Sequence, residues 1–366
     1  MDILSLNGGS SSLKFAAYRT DSPSGQLVCI EAGSDAASND PATALSSILA
    51  RVQPRLEGEL GAVGHRIVFG GPAYTAPVRA TEAALRDLEA LVVIEPLHLR
   101  SELDLVRAAL RNLPNVPHVL CFDTAFHRQC PPIAKRLPLP AGIDPLLQRY
   151  GFHGLSYEYI SSKLGDGSGY TVVAHLGSGA SLCALVERKP IDTTMGFSAL
   201  GGLMMGTRPG DLDPGIVLWL LDSRAYDAGR LTDLLYRKSG LLGVSCTTAD
   251  MQSLLSMTDS DPRAAEAVEL FVYQLRKHLG SMIGVLGGLK TLVFTAGIGE
   301  HAPSIRAAAC EGLEHLGVRL DEAANRRNDR VISCSESRVA VYVIPTDENL
   351  MIARHTLQLV QAGHDA

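Results

Sequence analysis

The chain has 366 residues, of which 46% are hydrophobic and 20% are charged, and its formal net charge is −6. This length fits two domains of ordinary size, and the composition excludes a disordered chain, a collagen and a coiled coil. The mild acidity argues against nucleic acid and against a membrane surface as partners, because both attract basic proteins.

The first residues and the cysteines indicate a cytoplasmic protein. Asp2 stands where a secretory signal would be basic, and polar residues 7–12 interrupt any apolar run. The seven cysteines include no CxxC pair, which favours neither a disulfide framework nor a zinc ribbon. The apolar stretch 279–299 is interrupted by Lys290, so we predict a buried helix followed by a strand there, not a membrane span.

Strands and helices alternate in the first half of the chain. Residues 3–6 and 13–18 predict two strands joined by a Gly/Ser turn, which is a hairpin. A helix is predicted over 40–51, with Asp40 as its N-cap and Pro41 at its first position. The other elements predicted in this half are strands at 62–68 and 118–122 and helices at 81–93 and 101–111.

The second half repeats the opening plan. Residues 170–175 and 182–186 predict two strands joined by the Gly/Ser turn 176–181. The elements predicted after them are a helix at 262–286, strands at 291–294 and 339–344 and a helix at 348–361, and 166–169 reads as a hairpin-type loop. The alternation predicts an α/β fold. A domain boundary is predicted within 138–149, which is rich in proline and turn residues.

The two Gly/Ser turns are candidate phosphate sites. Each follows a buried strand, where α/β folds bind ligands, and glycine lets backbone N–H groups approach an anion closely. A single turn of this kind is more often an ordinary hairpin, but its recurrence in each half favours phosphate binding. The chain has neither a GxxxxGK[ST] segment nor a GxGxxG segment after a strand, so the P-loop and Rossmann interpretations lose support.

Several charged residues lie beside these turns or at strand ends. Asp123 ends an apolar strand, Arg66 precedes a glycine pair, and Arg208 lies in the segment 206–215, which we predict to be a loop too polar for the core. His65, His153 and His175 each lie beside a glycine-bearing turn, although any single one is more often a hydrogen-bonded core histidine. Together these residues provide what phosphoryl transfer requires, namely cations around the phosphate oxygens and an acid to orient the acceptor or metal.

A family resemblance makes this chemistry specific. Residues 7–14 (NGGSSSLK) resemble the N-terminal signature of acetate kinases, and 64–71 (GHRIVFGG) resemble their second signature. Further matching segments follow in the family's order at 122–127, 150–154, 174–181, 192–197, 202–208, 294–300 and 345–350. The family belongs to the acetate and sugar kinase, heat-shock protein 70 and actin superfamily. The resemblance therefore implies two duplicated ribonuclease H-like, actin-like ATPase domains around a nucleotide cleft. We predict one domain at 1–148, completed by helix 349–366, and a second at 149–348.

The resemblance also implies an activity and a set of site residues. The reaction would be reversible in-line transfer of the ATP γ-phosphoryl group to acetate, giving acetyl phosphate and ADP, by a homodimer that uses Mg²⁺ or Mn²⁺. Asn7 and Glu348 would serve the metal, Glu348 through water. The catalytic residues would be Arg66, Asp123, His153, His175 and Arg208. The phosphate and nucleotide residues would be Asn7, Ser10, Ser12, Lys14, His175, Gly177, Ser178, Gly179, Asp250, Met251, Gln252, Gly297, Ile298 and Gly299. The acyl pocket would be formed by Arg66, Val68, Leu97, Phe152 and Ala199.

Departures from the family pattern leave alternatives open. Phe69 replaces a histidine, Ser178 an asparagine, Ala199 a proline, Gln252 an arginine and His301 an asparagine. One alternative is a kinase for propionate or another short-chain acid. A second, motivated by Ser178 and Gln252, is a non-catalytic nucleotide-binding homologue. A third is a sugar kinase or polyphosphatase on the same fold, against which two arginines suited to a carboxylate argue.

Overall fold

The computed structural model describes residues 1–8, 12–21, 25–36, 40–140 and 142–362. The chain divides into two compact units. The first unit is Met1–Arg128, Phe152–Tyr159 and Asp347–Ala366, and the second is Gln129–Gly151 and Ile160–Thr346. Residues 138–149, where the composition predicts a boundary, thus lie within the second unit. Arg149 holds this segment against the second unit, because its Nη1 donates to the carbonyls of Thr193 and Thr194 in that unit.

The elements alternate along the chain. The strands are β1 (Asp2–Gly8), β2 (Ser12–Asp21), β3 (Gln26–Ala36), β4 (Leu60–Ile67), β5 (Val78–Arg79), β6 (His118–Phe122), β7 (Tyr170–Leu176), β8 (Ala180–Val186), β9 (Lys189–Thr193), β10 (Thr291–Thr295) and β11 (Ala340–Val343). The helices are α1 (Pro41–Val52), α2 (Glu82–Glu89), α3 (Leu99–Asn112), α4 (Pro132–Lys135), α5 (Gly154–Lys163), α6 (Pro214–Asp222), α7 (Ala228–Arg237), α8 (Gly240–Ser245), α9 (Met251–Met257), α10 (Pro262–Leu286), α11 (Ala296–His301), α12 (Pro303–Cys310), α13 (Glu322–Arg327) and α14 (Glu348–Ala362). Short 3₁₀ turns lie at Gln53–Arg55, Phe126–Gln129 and Glu314–Leu316.

The two units contain sheets of the same plan. Among the described residues, the first sheet has the strand order β3-β2-β1-β4-β6-β5, and the second has the order β9-β8-β7-β10-β11. In the first, β1 is antiparallel to β2 and parallel to β4, which is parallel to β6. In the second, β7 is antiparallel to β8 and parallel to β10, which is parallel to β11. The α/β class is therefore confirmed, and the repeated hairpin marks a repeated sheet.

The first sheet is covered by helices on both faces. Ile3 packs with Ile352 of α14 on one face, whereas Leu4 packs with Leu45 of α1 and Leu105 of α3 on the other. Consecutive residues of β1 therefore point to opposite helical layers, as the two-residue repeat of a strand requires. Helix α14 approaches β4 closely at Gly64, where an added Cβ would lie 2.2 Å from Thr356 Oγ1, so this crossing requires glycine.

Helix α10 supports the second sheet. Its N-cap Asp261 accepts a hydrogen bond from the amide of Arg263, and Gly287 ends it at φ 73°. The residues buried along it are Ala264, Ala267, Phe271, Leu275, Leu279, Met282, Ile283 and Leu286. The stretch 279–299 contains the end of α10 and strand β10, as predicted. Within the described ranges, no helix is both long and apolar enough to cross a membrane.

Several predicted boundaries were wrong. The helix predicted over 81–93 ends at Glu89, and Pro96 follows shortly, which disfavours helix at the residue before it. Residues 166–169 connect α5 to β7 and are not a hairpin loop, and the end of segment 206–215 is already the start of α6. The N-cap prediction is confirmed, since Asp40 accepts from the amides of Ala42 and Thr43.

Candidate active site

Three adjacent parallel strands of the first unit bring polar side chains to one edge of the sheet. Asn7 lies near the end of β1, Arg66 near the end of β4, and Asp123 directly after β6. The amide of Asp123 donates to the carbonyl of Ile67 at 2.9 Å, which extends the pairing of β4 with β6 to this point. Because α/β folds bind ligands beyond the carboxyl ends of their strands, this edge is the candidate site of the first unit.

The guanidinium of Arg66 lies between two carboxylates. Its Nε and Nη2 donate to Oδ2 of Asp123 at 3.0 and 2.6 Å. Its Nη1 donates to the carbonyl of Gly8 at 2.8 Å and to Oε1 of Glu102 at 3.0 Å. Charged hydrogen bonds in several directions fix the plane of the guanidinium, and a fixed cation is a suitable partner for a small carboxylate.

Asp123 is a buried carboxyl group, and burial raises its pKa to about 6 against the opposing effect of Arg66. Its Oδ1 makes no well-formed hydrogen bond within the described ranges, although the backbone amide of Leu155 is close enough to the carboxyl group to lower its pKa. A buried polar atom without a partner is costly unless a ligand, metal or water meets it. Oδ1 of Asp123 is therefore the atom of this cluster best suited to such a group.

Asn7 and Glu348 connect β1 to the start of α14. Nδ2 of Asn7 donates to Oε2 of Glu348 at 2.8 Å. The preceding residue, Asp347, accepts from the amide of Leu350 at 2.9 Å and from the hydroxyl of Tyr18 at 3.3 Å. The first turn of α14 is thus anchored to the β1–β2 hairpin, although Glu348 lies 341 positions from Asn7 in the sequence.

His153 occupies a strained turn beside Asp123. Its φ is 57°, a left-handed value that is uncommon for residues with a side chain and recurs at functional sites. The amide of Gly154 donates to the carbonyl of Asp123 at 2.9 Å. An added Cβ at Gly154 would lie only 2.0 Å from that oxygen. Glycine at 154 therefore lets the turn that carries His153 approach the end of β6.

The predicted acyl-pocket residues divide between the two units. In the first unit Val68 and Phe152 are buried and Leu97 is half-buried. Phe69, which replaces the family's histidine, is also buried and stacks with Phe152 at 6.1 Å between ring centroids. Ala199 belongs to the second unit, where it is buried.

The second Gly/Ser turn lies among other predicted nucleotide residues of the second unit. His175 is the penultimate residue of β7 and is buried. In the turn that follows, the carbonyl of Ser178 accepts from the amide of Gly206 at 2.9 Å. An added Cβ at Gly177 would lie 3.6 Å from the Cβ of Ala296. The turn 177–179 is therefore adjacent both to the loop of Arg208 and to the turn that carries Gly297, Ile298 and Gly299.

Arg208 is buried, which corrects the prediction that its loop is too polar for the core. The residue is 7% exposed, and its Nη1 donates to the carbonyl of Ala199 at 2.8 Å. The loop folds inward because its backbone is paired, as in the bond from the amide of Met205 to the carbonyl of Arg208. The structure thus joins the predicted catalytic arginine to the residue predicted to face the acyl group.

The C-terminal end of helix α11 is held by the side chain of Arg306, which the sequence analysis did not identify as part of the site. Arg306 is fully buried, and its Nη1 donates to the carbonyls of Gly299 and Glu300 at 2.9 and 3.0 Å. Its Nε and Nη2 donate to oxygens of Asn325 and Asn328 at 2.6 to 2.7 Å. Burial lowers the pKa of Arg306 to about 10. All five N–H groups have acceptors, which anchors the C-terminal end of α11.

The side chain of Glu300 stabilises the start of the same helix. Its Oε1 accepts from the amides of Ala296 and Thr346 at 2.8 and 3.1 Å. Ala296 has a left-handed φ of 63°. The backbone conformation of 296–299 is therefore stabilised by the Glu300 and Arg306 side chains in addition to the hydrogen bonds within α11.

The other predicted nucleotide residues have mixed surroundings. Asp250 caps α9 by accepting from the amide of Ser253 at 2.8 Å. The hydroxyl of Ser253 also donates to Asp250 and lowers the pKa of its carboxyl group. Met251 is buried, and Gln252 is exposed. In the first unit Lys14 pairs with Asn7 across the hairpin. Ser10 lies outside the described residues, and Ser12 begins β2.

The oxygen atoms of the first unit fit a water-rich magnesium ion. Mg²⁺ prefers hard oxygen ligands and usually keeps several waters or phosphate oxygens. Glu348 is close enough to raise the pKa of Asp123, and Oδ1 of Asn349 is buried without a hydrogen-bond partner within the described ranges. Across those ranges no cluster of three or more His, Cys, Asp or Glu residues is arranged to hold a metal. The carboxylates of Asp123 and Glu348 and the amide oxygen of Asn349 are hard oxygen donors of the kind that would suit Mg²⁺.

Glu102 is a further residue that the sequence analysis did not identify as part of the site. It lies on α3 among the buried positions Leu99, Leu103 and Val106. An acid within the apolar face of an amphipathic helix is the signal that could have revealed it, because such a carboxylate requires a buried partner.

Comparisons with known proteins agree with the motifs. The family model described as the Acetokinase family matches residues 31–354. An acetate kinase of Rhodopseudomonas palustris (strain ATCC BAA-98 / CGA009) is 43% identical over 396 aligned positions, which cover 99% of each chain. The crystal structure of Porphyromonas gingivalis acetate kinase matches with a TM-score of 0.84 and 31% identity, covering 98% of this chain and 99% of that one. A propionate kinase from Francisella tularensis subsp. tularensis SCHU S4 matches with a TM-score of 0.87 and 32% identity at the same coverage. The chain therefore belongs to the acetokinase family and has its duplicated actin-like α/β fold, as the ordered motifs predict.

Proposed function

We propose that this protein is an acetate kinase, which transfers the γ-phosphoryl group of ATP to acetate and forms acetyl phosphate and ADP reversibly. The observation that supports this function best is Arg66, whose side chain is only 11% exposed and is fixed by Asp123 at the strand-end edge of an acetokinase-family chain. A small anion binds well to a cation whose orientation is already set.

The chemistry needs positioning and charge neutralisation. An oxygen of the acetate carboxylate attacks the γ-phosphorus, and the bond from that phosphorus to the bridging oxygen of ADP breaks in line. Acetate is already ionised at neutral pH, so no side chain must remove a proton from it. In this proposal Arg66 binds the acetate carboxylate and Asp123 orients the acceptor or the metal. Arg208 and His153 donate to the equatorial oxygens of the transferring group.

The remaining predicted residues serve the nucleotide and the metal. The turn 177–179 with His175 contacts the phosphates, and the segment 297–299 lies under the nucleotide, in agreement with their adjacency in the second unit. Mg²⁺, or Mn²⁺ in its place, supplies charge neutralisation on the phosphates when it is bound. Asn7 and Glu348 would hold it, Glu348 through water.

A hydroxamate assay for acyl phosphate, with acetate and Mg-ATP, tests the activity. We expect acetyl phosphate to form in proportion to ADP. If nucleotide binds but no acid from formate to butyrate yields an acyl phosphate, the protein is a non-catalytic nucleotide-binding member of its family and the proposal fails.

Propionate is a second candidate substrate. Ala199 stands where acetate kinases usually have proline, and a structure with a TM-score of 0.87 to this chain is named a propionate kinase. A smaller side chain in the acyl pocket leaves room for one more methylene, which contributes about 0.8 kcal/mol when buried. The kcat/KM values for a panel of acids from formate to butyrate decide between the two acids.

The active form in this proposal is a cytoplasmic homodimer that associates through the second unit. Apolar side chains are exposed on α6 (Leu218 at 66% and Trp219 at 68%) and on α10 (Tyr273 at 65%). Helix α6 alone exposes four large apolar residues, Ile216, Leu218, Trp219 and Leu221, and such a cluster on one helix supports a contact surface. Sedimentation of the wild type against Trp219→Asp measures the association, and a monomeric wild type would contradict it.

A further inference from the structure

Glu102 is a buried acid that the proposed mechanism does not use. It lies on α3 and is 3% exposed, and the buried residues Leu99, Leu103 and Val106 surround it on the same helix face. Burial raises its pKa to about 8. An acid on such a face is destabilising unless its oxygens have partners, so the contacts of Glu102 need an explanation.

Each oxygen of this carboxylate contacts a different part of β4 and the residues that follow it. Oε1 accepts from Nη1 of Arg66 at 3.0 Å, and Oε2 accepts from the amide of Val68 at 2.8 Å. Arg66 and Val68 are two of the residues proposed to contact the acyl substrate. The Glu102 carboxylate thus holds both the side chain of Arg66 and the backbone of Val68.

Glu102 also determines which N–H of Arg66 remains for a ligand. A guanidinium has five N–H groups. Asp123 takes Nε and one hydrogen of Nη2, while Gly8 and Glu102 together take both hydrogens of Nη1. In the described part of the chain, one Nη2 hydrogen is left over. Without Glu102, Nη1 would lose one of its two acceptors and the guanidinium could turn away from this orientation.

We propose that Glu102 is a positioning residue for the acyl substrate, which orients Arg66 and fixes the backbone at Val68. This inference rests on the proposed roles of those two residues in the acetate kinase reaction. It makes a prediction opposite to that of a purely electrostatic effect. If Glu102 only adds negative charge beside Arg66, its neutralisation should strengthen acetate binding above pH 8, where the carboxylate is ionised. If it positions Arg66, its neutralisation should weaken that binding.

Glu102→Gln separates these two effects. A glutamine has the same shape, but its amide nitrogen is a donor, so it cannot accept from both Arg66 and Val68. Measured above pH 8, where Glu102 is ionised, KM for acetate should rise about tenfold, the scale of one lost charged hydrogen bond, while KM for Mg-ATP stays within twofold. Glu102→Asp, one methylene shorter, keeps the charge and should also fail to reach both partners.

Glu158→Gln is the matched control. Glu158 is a paired carboxylate of the same unit, which contacts His355 at 2.8 Å and has no proposed role at the site. We expect this variant to keep both KM values. An unchanged or lower acetate KM in Glu102→Gln overturns the proposal. A parallel change of both KM values together with a lower melting temperature also overturns it, because that result describes a purely structural residue.

A second measurement does not depend on activity. Hydrogen–deuterium exchange of a peptide covering 60–69 reports on the Val68 amide, whose acceptor is Glu102. We expect one amide of this peptide to exchange at least tenfold faster in Glu102→Gln and at the wild-type rate in Glu158→Gln. Unchanged exchange rejects the positioning role even if the wild type forms no acetyl phosphate. Failure of the proposed function would instead appear as an inactive wild type.

Discussion

The two sheets share a strand order but differ in what they present at their strand ends. In the first unit the ends of β1, β4 and β6 carry Asn7, Arg66 and Asp123, which are linked to acids on helices. In the second unit the corresponding strands β7 and β10 lead into the turns 177–179 and 296–299, whose contacts are largely made by backbone atoms. A repeated scaffold thus supports charged side chains in one copy and small-residue turns in the other.

This difference supports the division of chemical roles proposed above. A guanidinium matches the geometry of a small carboxylate and is supplied by a side chain. A nucleotide phosphate can be bound by closely approaching backbone amides, which require small residues. The charged side chains that support the second unit, Arg306 and Glu300, hold the backbone of the turn. Substitutions in the two units should therefore have different kinetic signatures.

The largest expected effect is on kcat and concerns Arg208. If this buried cation neutralises charge in the transition state, Arg208→Ala should lower kcat by about 10³-fold or more, with little change in KM for Mg-ATP. Arg66→Ala should mainly raise KM for acetate. The exposed Arg237, on α7 of the same unit, is the control, and Arg237→Ala should be fully active. An active Arg208→Ala enzyme would remove the catalytic assignment.

The next effect is on stability and concerns Arg306. Arg306→Met would leave several buried oxygens without donors, including the carbonyls of Gly299 and Glu300. We expect a loss of about 3 kcal/mol in the free energy of unfolding. Chemical denaturation measures it, with Arg276→Met as control, since Arg276 is 41% exposed and its pairing with Glu311 should contribute little. Equal stabilities of the two variants would show that the anchor is unimportant.

A smaller effect concerns the pH dependence of stability. Burial raises the pKa of Glu102 from 4.5 to about 8, opposed by Arg66 and assisted by Asp123 and Glu95. Between these two values the folded protein binds a proton that the unfolded chain releases, so this group lowers stability as pH rises from about 5 to 8. Glu102→Gln abolishes this titration. We expect its melting temperature to fall less than that of the wild type between pH 5.5 and 8. Parallel curves would contradict this pKa.

The smallest expected effect tests the acyl pocket. Restoring the family's proline with Ala199→Pro keeps the carbonyl to which Arg208 donates but fills space equal to about two methylenes. The ratio of kcat/KM for propionate to that for acetate should fall several-fold, within the range usual for pocket discrimination. A folded variant with an unchanged ratio would show that position 199 does not select chain length.

The sequence was sufficient for the fold class, the hairpins and the family. The cap at Asp40 and the ends of α10 depend on local chemistry, so they are confirmed residue for residue. Local signals were weaker at α2, where the apolar residues 91–94 extend the helical pattern beyond the actual end of the helix at Glu89.

The pairing of site residues was decided by tertiary structure. Glu102 and Arg66 are 36 positions apart, and they meet because α3 packs beside β4. Asn7 and Glu348 meet across 341 positions because α14 returns to the first sheet. Arg208 is buried because its loop pairs inward, and Arg306 because α12 and α13 enclose it. The motifs and most of the predicted elements could be identified from the sequence, because they follow from neighbouring residues. Only the tertiary structure determined which charges share a buried space, because that depends on how distant elements pack.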